Sequence, residues 1–363
     1  MIDKLILENF KAFEKLTLSL GTVNLLTGLN GMGKSTVLQA LLLLKQSFSS
    51  PANQQFLLNG DYIQLGWGKD VLYENATEDE IGIFIASGGE MYNIKMRYDA
   101  DSDRLAALGI EPMLDCLRQI LEHVYYLSAA RITPQYSYAI TNGQTVGRRD
   151  FGRDGVYALQ YLFEHGSSKL KRTDLVLGED SQNSLLRQAS LWMNYITPGT
   201  NIEVLMNRAL QSAELNYSFR EGDYMSNAYR SINVGFGLTY VLPIIVQLLT
   251  AEPGDILLIE NPEAHIHPAG QSRLGELVSR TGAGGVQVIV ETHSDHFLNG
   301  VRLAVKRGRI SPEVVRLFYF SKDEADGFKH TVRTPMIHSD GQLDQWPKGF
   351  MDEWENMLLE LLQ

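Results

Sequence analysis

Hydrophobic positions recur along the chain at two spacings, and the switches between them mark out elements. Leu16, Leu18 and Leu20 alternate with Thr17 and Ser19, the period of a half-buried strand. Residues 2–8 read as its partner across a turn-like segment at 9–14. Residues 23–27, VNLLT, form a third strand that runs through glycines into a helical pattern over 36–46. Residues 81–86 and 92–98 pair around Gly88–Gly89, and 124–127 is another short strand. Helical spacing is expected over 154–165, 183–196 and 202–213. A long apolar helix over 234–250 follows. Then come buried strands at 256–259, 286–291 and 314–320, with helices at 269–279 and 295–306 between them. An amphipathic helix is expected over 350–362. Apolar strands alternating with crossover-length helices predict an α/β fold whose sheet is mixed, mostly parallel, and covered on both faces.

Charge and composition narrow the classes. Lys and Arg number 32 against 43 Asp and Glu, a net charge of −11, which argues against a generic basic nucleic-acid binder. The one cysteine, Cys116, rules out an intrachain disulfide framework and a cysteine-built zinc site. No run of 18 apolar residues exists, since Gly235, Gly237, Pro243 and Gln247 interrupt the best candidate. With no signal-peptide core at the start, a soluble cytoplasmic protein with no membrane association is expected.

The chemistry enters at residues 28–36, GLNGMGKST. Gly28, Gly33, Lys34 and Ser35 satisfy the phosphate-loop pattern, and a strand precedes and a helix follows them. Glycines let backbone N–H groups face phosphates, here with Asn30 and Gly31 in the bend, and the helix start favours negative charge. Lys34 is expected on the β- and γ-phosphates, Ser35 on Mg²⁺ and Thr36 beside the α-phosphate of ATP. Residues 256–260, ILLIE, end an apolar strand in a carboxylate. Glu260 is expected to hold Mg²⁺ opposite Ser35. Asn261 follows where a proton acceptor would serve hydrolysis; an amide orients water but takes no proton. Glu263 is the alternative. His265/His267 and His293/His296 have spacings that can chelate zinc. Their places after buried strands favour nucleotide roles instead, His293 as γ-phosphate sensor and His267 as a brace for the loop after Glu260.

These segments resemble ABC-type ATPases of the RecF/SMC/OLD group, and in particular small prokaryotic AAA-family ATPases with a C-terminal DUF3696 segment. The resemblance rests on ENFKAF at the start, GLNGMGKST, ILLIENPEAHIHP, VIVETHSDHFLNG and, over 338–354, HSDGQLDQWPKGFMDEW. It implies a P-loop fold of ABC-ATPase type, with an N-terminal part of the ATPase domain at 1–127 and its C-terminal part at 231–320. Between them lies an inserted, mainly helical lobe at 128–230, and the DUF3696-like segment follows at 321–363. It further implies that SINVGFGLTYVLPII replaces the usual signature. Ser231, Asn233, Gly235 and Gly237 would then meet the γ-phosphate held by a partner subunit in a head-to-head dimer. Gln64 would be the Q-loop glutamine, and residues 10–13 would border adenine. The expected function is an ATP-driven switch or sensor, a homodimer or higher homo-oligomer, in prokaryotic anti-phage defence or DNA maintenance, acting on a separate effector such as a nuclease. The alternative is a low-turnover scaffold that restrains an effector. DNA is an open alternative partner through Arg131, Arg148, Arg149 and Arg153. A transporter ATPase fits less well, because the signature and terminal segments differ from that type.

Overall fold

The structure is a computed structural model that describes residues 1–49, 55–109, 114–141, 149–179, 183–323, 329–347, 349–351, 357–358 and 360–362. Its fold is a mixed α/β architecture of the P-loop NTPase kind.

The chain opens with β1 (Lys4–Phe10) and β2 (Phe13–Ser19), then β3 (Val23–Gly28), which feeds α1 (Lys34–Phe48). β4 (Gln55–Leu57), β5 (Glu80–Ser87), β6 (Glu90–Arg97) and β7 (Arg104–Ala107) complete an antiparallel six-stranded sheet in the order β2-β1-β5-β6-β7-β4. The β5–β6 turn is the expected glycine pair. Gly88 and Gly89 have φ of 60° and 87°, the left-handed backbone a two-residue hairpin turn needs.

After α2 (Leu114–Glu122), β8 (Val124–Leu127) enters the second sheet. Further along lie α5 (Phe236–Thr250), β14 (Ile256–Glu260), α6 (Pro268–Ala283), β15 (Gln287–Glu291), α7 (Asp295–Lys306), β16 (Val315–Lys322) and β17 (His330–Arg333). The order is β17-β16-β3-β15-β14-β8, parallel except for the β17 edge. Each face of this sheet has its own core. Ile256 and Leu258 join the core under α1 and the antiparallel sheet. Leu257 and Ile259 join the core under α5, α6 and α7. Burial on both faces explains why ILLIE and QVIVE are continuous apolar runs and do not alternate.

The segment between β8 and α5 corrects two expectations. It holds α3 (Ala158–His165) and α4 (Leu185–Ile196), but also a five-stranded sheet. Its strands are β9 (Tyr138–Ala139), β10 (Thr200–Asn207), β11 (Ser212–Glu221), β12 (Tyr224–Met225) and β13 (Tyr229–Arg230). The expected helix at 202–213 is the β10–β11 hairpin, so the segment is not mainly helical. Ile202 and Val204 are buried while Glu203 and Leu205 are exposed, a period of two in β-branched residues. Nor does the segment form a core of its own. Trp192, Leu159 and Tyr217 share one apolar cluster with Val288 and Val290 of the parallel sheet.

α6 and α7 pack closely through glycines. A Cβ at Gly300 would lie 2.0 Å from the Ser272 carbonyl oxygen. Of the expected terminal helix, residues 357, 358, 360 and 361 are helical; 352–356, 359 and 363 lie outside the described residues. No described helix is long and apolar enough to cross a membrane.

Candidate functional site

The carboxyl ends of the parallel strands face the start of α1, where ligands bind in open α/β sheets. β3 leads directly into the phosphate loop. Gly28, Gly31 and Gly33 have φ of 130°, 76° and 93°, which side-chain-bearing residues rarely adopt. Gly33 is the N-cap of α1, whose first turn carries no acid. Anions are therefore favoured at that helix end.

Lys34 is 3% exposed, and its ammonium donates to the carbonyls of Gly28 (2.9 Å) and Leu29 (2.7 Å). Burial pushes it below the usual lysine range, and the Glu291 carboxylate works against that. Asn30, Gly31, Gly33, Lys34, Ser35 and Thr36 line a cavity of about 560 Å³. Lys11 and Ala12, Gln39, Asp70, residues 72–75 and Glu291 form more of its wall, and Lys322 and His330 complete it.

The acid nearest Ser35 is not the expected one. Ser35 Oγ donates to Glu291 at 2.9 and 3.1 Å. Glu260 instead accepts from Tyr126 Oη (3.0 Å) and the Ala129 N–H (2.9 Å). Sheet order is the reason. β15 lies between β14 and β3, and Glu260 and Glu291 are register partners on the two neighbouring strands. Burial pushes the Glu291 carboxyl above the usual carboxylate range; Ser35 opposes this, and Glu260 adds to it. Glu291 escaped the sequence reading although it ends an apolar strand just as Glu260 does.

The loop after β14 is tightly held. Asn261 has φ of 42°, a conformation Asn tolerates better than most residues. Its N–H donates to the Glu291 carbonyl (2.8 Å), and its side-chain oxygen is enclosed without a hydrogen-bond partner among the described residues. Glu263 Oε1 accepts the His293 N–H at 2.7 Å, and burial pushes this carboxyl upward too. His293 is exposed, and loss of hydration together with the Lys34 charge pushes its imidazole below the usual range. The zinc alternative gains nothing, since no cluster of three or more His, Cys, Asp or Glu suited to a metal exists among the described residues. His265 packs on Phe236 and Tyr240, with centroids 4.6 and 5.4 Å away. His267 caps α6, its Nδ1 accepting from the Ala269 N–H.

Several expected site residues lie elsewhere. Gln64 is exposed, bridged to Asn59, and does not line the cavity. Phe10 and Phe13 are buried at 0% and 3% exposure, leaving Lys11 and Ala12 at the cavity. Ser231 is fully buried, its hydroxyl donating to the Gln135 carbonyl (2.8 Å) and lying 2.9 Å from Tyr138 Oη. It is therefore tied up within its own chain. Gly237 packs on the His265 backbone, whereas Asn233 and Gly235 are exposed.

The arginine group is also dispersed. Arg131 is 3% exposed and donates to the carbonyls of Ser128, Glu260 and Asn261. Arg149 pairs with Asp255 and Glu252 at 3.0 and 3.4 Å. Arg153 is exposed, and Arg148 lies outside the described residues.

Sequence comparison places this geometry in a class. Residues 1–106 match the family model described as "AAA ATPase domain". Residues 178–299 match "AAA domain, putative AbiEii toxin, Type IV TA system", and 310–361 match "Protein of unknown function (DUF3696)". The chain thus carries an AAA-type ATPase domain joined to a DUF3696 segment. Its fold is similar to that of SMC heads. One is an Smc head bound to the C-winged helix domain of ScpA, at 15% identity over 93% of this chain and 98% of that one, with a TM-score of 0.54. Another is the Smc head with an extended coiled coil bound to the C-terminal domain of ScpA derived from Pyrococcus furiosus. There the identity is 14% over 100% of this chain and 99% of that one, again with a TM-score of 0.54. At these identities the likeness is one of fold. No curated protein sequence matches the chain.

Proposed function

We propose that the chain is an ABC-type ATPase that binds and hydrolyses Mg-ATP and works as a dimeric switch for a separate effector protein in prokaryotic defence or DNA maintenance. The observation that carries this reading is the Ser35–Glu291 contact beneath a complete phosphate loop, with Lys34 beside it. A hydroxyl and a carboxylate are oxygen donors of the kind magnesium takes when nucleotide phosphates and water complete its shell. Ser35 and Glu291 would hold the ion, with Glu260 on the adjacent strand close behind. When bound, magnesium neutralises charge building on the β- and γ-phosphates.

The chain's own groups supply the rest. Lys34 exchanges its two loop carbonyls for phosphate oxygens. Asn261 orients water without taking a proton. Glu263, with its carboxyl pushed upward, is the acceptor within the same loop. His293 senses the γ-phosphate. Exposed Asn233 and Gly235 at the start of α5 supply the surface that a second copy covers. The nucleotide domain comprises 1–127 and 231–320, interrupted by 128–230 and followed by 321–363. That the similar SMC heads were solved with ScpA supports a protein partner for this fold.

The test is binding and turnover of ATP with Mg²⁺, with and without DNA, alongside light scattering for oligomeric state. Nucleotide binding and ATP-driven dimerisation are expected, both lost in Lys34→Ala. Failure of the unaltered chain to bind ATP would overturn the reading. The scaffold reading draws on Asn261; dimerisation on ATP without turnover would favour it, and DNA-stimulated turnover would favour a DNA-acting switch.

A further inference from the structure

The C-terminal segment sits against the phosphate loop. β16 pairs with β3 in parallel from Val315↔Val23 to Phe320↔Gly28, so it is the direct neighbour of the phosphate-loop strand. The approach is close. Thr27 Oγ1 donates to the Phe318 carbonyl at 3.1 Å, and a Cβ at Gly28 would lie 2.2 Å from the Phe320 carbonyl oxygen. β17 then pairs with β16 in the antiparallel sense, and its register sets Lys322 opposite His330.

Both residues reach the nucleotide cavity. His330 Nε2 lies 3.3 Å from the Gly31 carbonyl oxygen. Its ring meets Phe13 edge-on, centroids 5.9 Å apart, and the Phe13 ring lies 2.6 Å from where a Gly33 Cβ would stand. One histidine therefore braces the loop at Gly31 directly and at Gly33 through Phe13. His330 Nδ1 is enclosed without a partner among the described residues. Lys322 is exposed on the cavity wall. The wall also carries Lys11 and the acids Asp70, Glu74 and Glu291, so Lys11 and the loop lysine face three carboxylates there. A polyphosphate entering that field is favoured by further cations.

We propose that the β16–β17 pair of the DUF3696 segment is a wall of the nucleotide site, in which Lys322 contacts the polyphosphate of a nucleoside triphosphate and His330 is a positioning residue for the phosphate loop. The proposal rests on the nucleotide reading above and gives this segment a role in it.

The experiment titrates the full chain with a fluorescent ATP analogue and Mg²⁺. It compares Lys322→Ala, His330→Ala, His330→Gln and Lys34→Ala, with Arg333→Ala as control, since Arg333 is exposed on β17 away from the cavity. Lys322→Ala is expected to weaken binding about fivefold, the effect of one exposed charge contact, and to flatten the salt dependence. His330→Ala is expected to weaken it about fivefold, the value of one hydrogen bond, with most of the loss restored in His330→Gln, which keeps a donor. Arg333→Ala should match the unaltered chain. Unchanged affinity in both Lys322→Ala and His330→Ala, with binding lost in Lys34→Ala, overturns this proposal alone. No binding by the unaltered chain overturns it together with the nucleotide reading. Lys322 is exposed, so its substitution leaves folding intact, and a circular-dichroism melt of each variant checks this.

Discussion

Replacing Arg131 tests whether the loop after β14 is held from behind by a buried charge. Its guanidinium donates to Ser128 O and Glu260 O at 2.6 Å and to Asn261 O at 2.7 Å, and lies 4.0 Å from the Tyr240 ring centroid. Burial lowers it to about 10, which leaves it charged at neutral pH. Met fills similar volume but makes none of the three bonds. Hydrogen bonds to a charged group contribute about 1.5–3 kcal/mol each. Against their loss stands the desolvation cost that Met no longer bears, several kcal/mol for a buried ion. The stranded carbonyls tip the balance, and Arg131→Met should cost about 1–3 kcal/mol, the penalty for a buried acceptor left unpaired. Lys keeps the charge without the planar fork and should fall between Met and Arg. Urea unfolding followed by circular dichroism reads the loss. Turnover per bound ATP should fall further than ATP affinity, because Arg131 holds the backbone of Glu260 and Asn261 and does not touch the phosphate loop. A loss under about 1 kcal/mol in Arg131→Met, or a Lys variant equal to the unaltered chain, would refute the reasoning.

Three further outcomes follow from the packing. Glu291 has its carboxyl raised on folding, so between the unfolded and folded values the unfolded chain binds fewer protons and stability falls as pH rises. Glu291→Gln should therefore melt higher than the unaltered chain at pH 8 without nucleotide, with the gain vanishing below about pH 4.5; a gain that grows on acidification contradicts this. Gly300→Ala improves helix propensity by about 1 kcal/mol, yet its Cβ would lie 2.0 Å from Ser272 O. Overpacking against backbone costs about 1–3 kcal/mol or more, so the melting midpoint should drop, and a rise would mean that α6 and α7 part freely. Ser231→Ala strands the Gln135 carbonyl inside the chain, while Tyr138 Oη keeps the Thr133 carbonyl and the Gln135 N–H, and should cost about 1–3 kcal/mol in urea. If it abolishes ATP-driven dimerisation at unchanged stability, the inward-facing hydroxyl has been misread.

What could be read from the chain alone was local. The phosphate loop declares itself because strand, glycines, Lys34 and helix are contiguous. The buried strands declare themselves because both faces are covered. The 202–213 hairpin was misread because Leu205, Leu210 and Met206 fill in the period of two. Leu205 and Leu210 are 45% and 73% exposed, so apolar residues on the solvent side imitated a helical stripe. Arg131 was grouped with Arg148, Arg149 and Arg153 as a contact for DNA, whereas it is buried by β14 and α5, which arrive more than 100 positions later. The Ser35–Glu291 pairing spans 256 positions and depends on which strand lies next to β3. Lateral strand order is a tertiary result, and spacing within one segment does not encode it.

The same lateral order gives the proposed switch its physical connection. The loops after β14 and β15 are cross-tied, by the Asn261 N–H on the Glu291 carbonyl and by Glu263 on the His293 N–H. A displacement at His293 therefore cannot leave the Asn261 loop in place without breaking the hydrogen bond to Glu263. The far side of that loop is held by Arg131, whose guanidinium lies over Tyr240 of α5. Tyr240 Oη in turn donates to the carbonyl of Ala129, whose own N–H is on Glu260. Exposed Gly235 is the N-cap of α5, so every link from the γ-phosphate side to the proposed dimer face is a hydrogen bond, a cation–ring contact or a helix. Such a chain transmits a change only if it has two stable arrangements. The enclosed, unpartnered Asn261 side-chain oxygen and the upward-pushed carboxyls of Glu263 and Glu291 are features of an arrangement under electrostatic tension. On the proposed reading, a cation held by Ser35 and Glu291 would supply the positive charge that these carboxyls lack, and its binding would favour the arrangement that holds it.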